Sequence, residues 1–235
     1  MKRVVRENFD LSVEAYREYE AATGRFRTLA RRLRDAMAAR GASFDRVLDA
    51  GAGTGASTAV FAEAGRAVAL DASRPMLAPN AAGDRLQGDL ERLPLRDDSV
   101  DAVAFTASLF LVPDPERAAR EARRVLRDGG VVGATVPEGW FTGGEDVFDD
   151  RPRESRSPRS VADVRTALAS AFTVEAGRWS FDTSPGAVRA FHDTPAGAAR
   201  LYPKLPPAER RAKARDLLED LSGPIEHRWR WFVGR

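Results

Sequence analysis

Between residues 46 and 136, short apolar runs alternate with stretches in which apolar residues recur every three or four positions, the pattern of a parallel sheet with crossover helices. The runs predict strands over 46–50, 67–70, 84–87, 100–105 and 130–136. The helical spacing predicts helices over 55–64, 74–79 and 115–127, the last closed by Asp128-Gly129-Gly130. Upstream, Val13, Tyr16, Tyr19, Phe26, Leu29, Leu33 and Met37 repeat at helical spacing across 12–40, with Ser12 as a cap and Thr23-Gly24 as a break. Downstream the composition shifts. Residues 139–160 carry Gly143-Gly144, four acids from Glu145 to Asp150 and four arginines from Arg151 to Arg159, and read as a surface loop, either a solvated connection or a lid. A helix over 160–171 and a strand over 172–180 follow, and then two helical pieces within 185–222, separated by Pro203, Pro206 and Pro207. In the last run Ile225, His227, Trp229, Trp231 and Val233 share one face of a strand, while Glu226, Arg228 and Arg230 share the other.

The 235 residues are expected to form one α/β domain: a helical cap over 1–45, a ligand-binding core over 46–137, and a loop, helical lid and final strands over 138–235. With 37 Lys+Arg against 35 Asp+Glu, the net charge of +2 sets up no electrostatic demand for nucleic acid. The absence of cysteine removes disulfides and thiolate nucleophiles, and two histidines argue against a transition-metal site. The opening MKRVVRENFDLS lacks the apolar run of a signal peptide, and no 18 uncharged apolar residues occur together, so a cytoplasmic protein with no membrane partner is expected.

The chemistry-bearing segment is Val47-Leu48-Asp49-Ala50-Gly51-Ala52-Gly53-Thr54-Gly55, a strand running into a glycine-rich turn before a helix. Its bare backbone lets a ligand approach the turn and the following helix N-terminus. Gly51, Gly53 and Ala56 also satisfy the loose dinucleotide pattern, but Asp49 would repel a pyrophosphate. It suits a ligand carrying positive charge, such as S-adenosylmethionine. Open parallel sheets bind ligands at the carboxyl ends of their strands, where Asp49, Asp71 and Asp89 stand at the ends of the first three. Asp71, 20 residues after Gly51, can accept hydrogen bonds from ribose hydroxyls; Asp89 can accept from an exocyclic adenine amine while the Leu90 amide donates to a ring nitrogen. Together they describe an adenosine without phosphates.

Four segments, VLDAGAGTG (47–55), ALDASRPML (69–77), QGDLERLPLRDDSVDAV (87–103) and PDPERAAREARRVLRDGGVV (113–132), resemble in order the motifs of class I S-adenosylmethionine-dependent methyltransferases, in the group that includes ubiquinone/menaquinone-type and other small-molecule enzymes. The resemblance implies a Rossmann-like, doubly wound, mostly parallel seven-stranded sheet with an antiparallel last strand. It places Asp49 and the turn of Gly51, Ala52, Gly53 and Gly55 beside the methionine moiety, Asp71 with Ala72 at the ribose, and Asp89 and Leu90 at adenine. Phe9-Asp10-x-Ser12-x-x-x-Tyr16 resembles the segment that closes over the cofactor, which makes Tyr16 a candidate lid residue or else a core residue.

Where many relatives have a polar residue after the fourth strand, this chain has Ser108-Leu109-Phe110-Leu111-Val112, an apolar wall that leaves a general base unassigned. His192 and Glu138 are the remaining catalytic candidates; His227 reads as a packed core histidine. Phe105-Thr106-Ala107-Ser108 replaces the Asn/Asp-Pro-Pro-aromatic motif of enzymes that methylate base amines, which disfavours nucleic acid as the acceptor. The expected activity is methyl transfer to a small molecule with an apolar part, without a metal. The alternatives are a tRNA or protein methyltransferase, served by the arginines from Arg151 to Arg159, or a module that binds the cofactor without turnover.

Overall fold

β1 (Arg46–Ala50), β2 (Arg66–Asp71), β3 (Asp84–Gln87), β4 (Val100–Phe105) and β5 (Leu126–Thr142) are the five apolar runs, and they lie side by side as parallel strands in the order β3-β2-β1-β4-β5. Strands with helices on both faces show no polar alternation, which is why β1, β2 and β4 are almost continuously buried while the edge strand β3 alternates. The computed structural model describes residues 2–151 and 159–235. β6 (Glu145–Asp146) pairs with the end of β5, and β7 (Val174–Thr183) completes the other edge. β8 (Ile225–Gly234) is inserted between β5 and β7, antiparallel to both, as expected for the final strand. No described helix is long and apolar enough to cross a membrane.

Ten α-helices occur among the described residues: α1 (Lys2–Asp10), α2 (Val13–Thr23), α3 (Arg25–Ala38), α4 (Ala56–Ala62), α5 (Arg74–Leu77), α6 (Pro115–Val125), α7 (Val161–Ala169), α8 (Pro185–His192), α9 (Pro195–Leu201) and α10 (Pro207–Leu217). α3 and α4 cover one face of the sheet, where Leu33, Met37 and Phe61 pack on Val47, Ala102 and Val131. α6 and α7 cover the other, over Leu48, Val103 and Val132. A third cluster, built from Tyr16, Tyr19, Trp140, Phe148, Phe191 and Leu218, sits beyond the carboxyl edge and joins α2 to the α8–α10 layer.

Several sequence expectations need correction. α1 had no predicted counterpart, because it buries no residue and so shows no core-facing stripe. Ser12 does not cap α2 through its side chain; its hydroxyl donates to the Asn8 carbonyl at 2.6 Å and accepts from the Ala196 amide at 2.9 Å, tying α1 to α9. Residues 139–142 are strand rather than loop. Gly143 and Gly144, with φ of 58° and 92°, make the two-residue turn from β5 into β6, a conformation that glycine adopts without strain. Val147 and Phe148 beyond it are buried. Of the remaining loop, 152–158 lies outside the described residues, including Arg153 and Arg156. α6 ends at Val125, before Asp128-Gly129-Gly130, because Leu126 is already paired with Val100.

The 185–222 segment holds three helices rather than two. Thr194 Oγ1 accepts the Gly197 amide at 2.9 Å and Pro195 occupies the first helical position, so a fresh helix begins where one was read as continuing.

Candidate functional site

β1 delivers Asp49 to the foot of the glycine turn, and β2, in register with it, delivers Asp71 alongside. Asp49 is fully buried. Its Oδ2 accepts hydrogen bonds from Ser57 Oγ at 2.7 Å and Thr58 Oγ1 at 2.6 Å, while its Oδ1 has no partner. Burial, with the Asp71 charge adding to it against the two hydroxyls, pushes its carboxyl up to about 6. Asp71 Oδ2 accepts the Gly53 amide at 2.9 Å and Oδ1 the Ser73 amide at 2.8 Å. The carboxylate therefore shapes the turn, and burial raises its pKa against those amides. Gly51 has φ of 87°, and a Cβ there would lie 2.3 Å from Ser108 Cβ. Its bare backbone thus admits the segment after β4, whose Ser108 hydroxyl donates to the Ala50 carbonyl at 2.5 Å.

Asp89 follows β3. Its Oδ2 accepts Lys2 Nζ at 2.6 Å and its Oδ1 the Glu91 amide at 3.0 Å. Burial would raise its pKa, but the Lys2 ammonium and the amide outweigh burial and hold it below the usual carboxylate range. Lys2 also pairs with Glu91 at 2.6 Å, and Asp10 at the other end of α1 accepts the Ser73 hydroxyl at 2.5 Å. α1 is thereby pinned across the carboxyl edge by its polar ends.

These elements open on one cavity of about 1260 Å³. Gly51, Ala52, Gly53, Asp71, Ala72, Asp89 and Leu90 line one end of it. Tyr16, Glu138 and His192 also line it, whereas Asp49 and Gly55 lie behind the turn, outside the lining. The cavity therefore brings together most of the residues singled out by sequence.

The catalytic candidates divide on inspection. Glu138 is bound by Arg178 Nε at 2.6 Å and Arg230 Nε at 2.6 Å. Burial would raise its pKa, yet the two guanidinium groups outweigh it and keep the carboxyl below its ordinary value, so it is poorly suited to taking a proton. His192 is buried; its Nδ1 lies 2.9 Å from the Val188 carbonyl, which makes that nitrogen a donor. Tyr16 stacks on Phe26 with centroids 5.7 Å apart, serving as core and cavity wall at once, and burial raises its hydroxyl pKa against the nearby Arg200.

Sequence reasoning missed several lining residues. Lys2 and Trp140 stand in segments without an apolar pattern or read as loop. Arg25 and Arg200 are further cations lining the cavity, and nothing in the sequence around them marks them out. His227 is packed as expected, against Trp140 at 3.5 Å, but it also lines the cavity. Burial lowers its pKa well below the ordinary histidine value, reinforced by Arg25, His192 and Arg200, so the imidazole is neutral.

Residues 48–133 match the sequence profile of the methyltransferase-domain family. Over 100 residues the chain is 42% identical to malonyl-acyl-carrier-protein O-methyltransferase of Pectobacterium atrosepticum, covering 40% of each chain. Over 89 residues it is 45% identical to demethylmenaquinone methyltransferase of Mycolicibacterium vanbaalenii, covering 37% of this chain and 39% of that one. The match spans about two fifths of the length of these relatives. Among solved structures, an S-adenosylmethionine-dependent methyltransferase from Thermotoga maritima superposes with a TM-score of 0.59 at 17% identity, covering 97% of this chain and 98% of that one. The cyclase SpnF superposes with a TM-score of 0.56 at 24% identity, covering 87% of this chain and 81% of that one. At such identities the likeness shows the fold. Residues 48–133 thus resemble the methyltransferase-domain family, in a chain whose Rossmann-like, mostly parallel sheet matches the class I S-adenosylmethionine-dependent methyltransferase fold.

Proposed function

We propose that this protein transfers a methyl group from S-adenosylmethionine to a small-molecule acceptor. The observation that carries the reading is the buried Asp49 Oδ1, a carboxylate oxygen with no partner, held beneath a glycine turn. An unpaired buried acceptor is costly, and a ligand cation near the turn would relieve that cost. The chemistry of the donor set fits the cofactor. The turn of Gly51, Ala52 and Gly53 would face the methionine end with Asp49 and Gly55 behind it, Asp71 beside Ala72 would accept from the ribose hydroxyls through its remaining lone pairs, and Asp89 and Leu90 would frame the adenine.

In the reaction the acceptor's lone pair attacks the methyl carbon as the carbon–sulfur bond breaks, the sulfur keeps that electron pair, and S-adenosylhomocysteine leaves. The protein's task is to align nucleophile and methyl group and to exclude water. The aromatic layer formed by Tyr16, Tyr19, Trp140 and Phe191 supports water exclusion. Glu138, held by two arginines, is not assigned as a base, so an acceptor that is already ionised suits the site best.

Fold alone does not separate methyl transfer from other chemistry, since a cyclase shares it. A direct test incubates the full chain with methyl-labelled S-adenosylmethionine and, separately, with the small-molecule, RNA and protein fractions of a bacterial extract. Label entering only the small-molecule fraction is expected. Label in RNA or protein would favour the macromolecular alternative, and cofactor binding without label transfer to any fraction would favour a binding module.

A further inference from the structure

Beyond the aspartates, the cavity carries an unusual excess of hydrogen-bond donors. Arg25 is 7% exposed, yet its Nε has no partner; its Nη2 donates to the Asp182 carbonyl at 3.4 Å, and its other polar contact is the Tyr19 hydroxyl. Arg200 lies with its guanidinium carbon 5.2 Å from the Phe110 ring centroid and 5.3 Å from that of Phe191. The ionisable group acting on it is the Tyr16 hydroxyl, and no ion pair among the described residues includes either arginine. Trp229 Nε1 and His227 Nδ1 are likewise buried without partners. All four residues line the same cavity.

Burying a guanidinium without a carboxylate is expensive, and packed arginines in proteins ordinarily find one. The nearby carboxylates are engaged elsewhere: Glu138 is taken by Arg178 and Arg230, Asp146 accepts the Phe148 amide, and Glu20, whose charge acts on Arg25 without an ion pair, accepts the Phe26 and Arg27 amides. What is missing from this end of the cavity is therefore negative charge and acceptor atoms, which a ligand can supply. The remaining wall is aromatic. Trp140 stacks on His227 at 3.5 Å with planes 16° apart, and Phe191 lies 5.4 Å from Tyr19 and 6.0 Å from Trp140. At about 1260 Å³ the cavity exceeds the roughly 300–1,000 Å³ of a pocket for one drug-sized ligand, leaving room for a second molecule beside a nucleoside.

We propose that the methyl acceptor is an aromatic acid, its carboxylate held by Arg25 and Arg200 and its ring laid against Trp140 and Phe191. Guanidinium groups match a carboxylate through paired N–H donors, and an acid that neutralises the buried Arg25 and the half-buried Arg200 gains more than it would at the surface. The word acceptor rests on the methyl-transfer reading; the acid site stands on the donors and rings alone.

The test titrates the full chain calorimetrically with 2-naphthoate, with its neutral counterpart 2-naphthamide, and separately with S-adenosylhomocysteine. Naphthoate is expected to bind at least about tenfold more tightly than naphthamide, since the amide brings no charge. Arg25→Met and Arg200→Met should each weaken naphthoate binding by about ten- to a hundredfold and leave S-adenosylhomocysteine affinity unchanged, which also certifies the fold. Arg200→Lys, which keeps charge and stem, should recover part of the loss and decides the matter if Arg25→Met does not fold. Equal binding of acid and amide, no saturable naphthoate binding by the unmodified chain, or retained affinity in the methionine variants would overturn the proposal. Normal naphthoate behaviour without S-adenosylhomocysteine binding would remove the methyl-transfer reading and leave the acid site standing.

Discussion

Asp49 is a carboxylate whose charge the fold does not neutralise. Its value lies at about 6 in the folded chain against an ordinary 3.8, so the folded state prefers the protonated form. The contribution to stability is therefore fully favourable below pH 3.8 and is lost as pH rises towards 6, a swing of about 3 kcal/mol. Asp49→Asn removes the ionisation, and its stability relative to the parent is expected to rise between pH 4 and pH 7 while cofactor affinity falls. Chemical denaturation at the two pH values checks the first part; parallel pH curves for parent and variant would show that the charge is not felt. Asp71 and Asp89 differ in kind. Asp71→Ala strands the Gly53 and Ser73 amides, so a loss of about 1–3 kcal/mol in stability should accompany weaker cofactor binding. Asp89 has 45% of its side chain exposed and is paired chiefly with Lys2, so Asp89→Ala should lower affinity with little change in melting temperature. Equal melting losses in the two variants would contradict this. The interval between Gly51 and Asp71 made the aspartate legible in the sequence. That its oxygens would hold the turn's own amides was not, because a register between strands decides it.

The elements that position the site were legible where burial wrote a period into the sequence. β1, β2 and β4 announce themselves because both faces are covered, and α3 because one face is. α1 did not, since it rests on ion pairs at Lys2, a hydroxyl contact at Asp10 and the half-buried Phe9 against Tyr16 rather than on a fully buried face. An element with no buried residue sits at the low end of local stability. Its amides are expected to exchange rapidly in the free protein and to be protected when S-adenosylhomocysteine is added, as the helix closes over Asp89. Hydrogen exchange with mass spectrometry reads this directly. Unchanged exchange in α1 with bound ligand would mean that the helix is not part of the cofactor's cover. Pro203, Pro206 and Pro207 separate α9 from α10 as expected, but Pro195 went unread for a related reason: it begins a helix as readily as it ends one, and only the Thr194 cap before it tells which. Likewise Gly143-Gly144 signalled a turn, but whether it closed a hairpin or a loose loop depended on β8 lying beside β5.

At the scale of the molecule, a chain near charge balance carries a large cavity at the carboxyl edge of its sheet, in keeping with the small-ligand reading proposed above. The far half of that cavity was least legible, because it is assembled from α2, α3, β5, α8, α9 and β8, segments separated by most of the chain. Arg25 and Arg200 line one cavity only through the fold. The identity of the first ligand underlies everything else, and calorimetric titration of the full chain with S-adenosylmethionine, S-adenosylhomocysteine and NAD tests it most directly. Saturable binding of both sulfur ligands at one site per chain, with none for NAD, is the predicted result. A folded protein that binds neither sulfur ligand would contradict the account and return Asp49, Asp71 and Asp89 to the role of turn and cap residues.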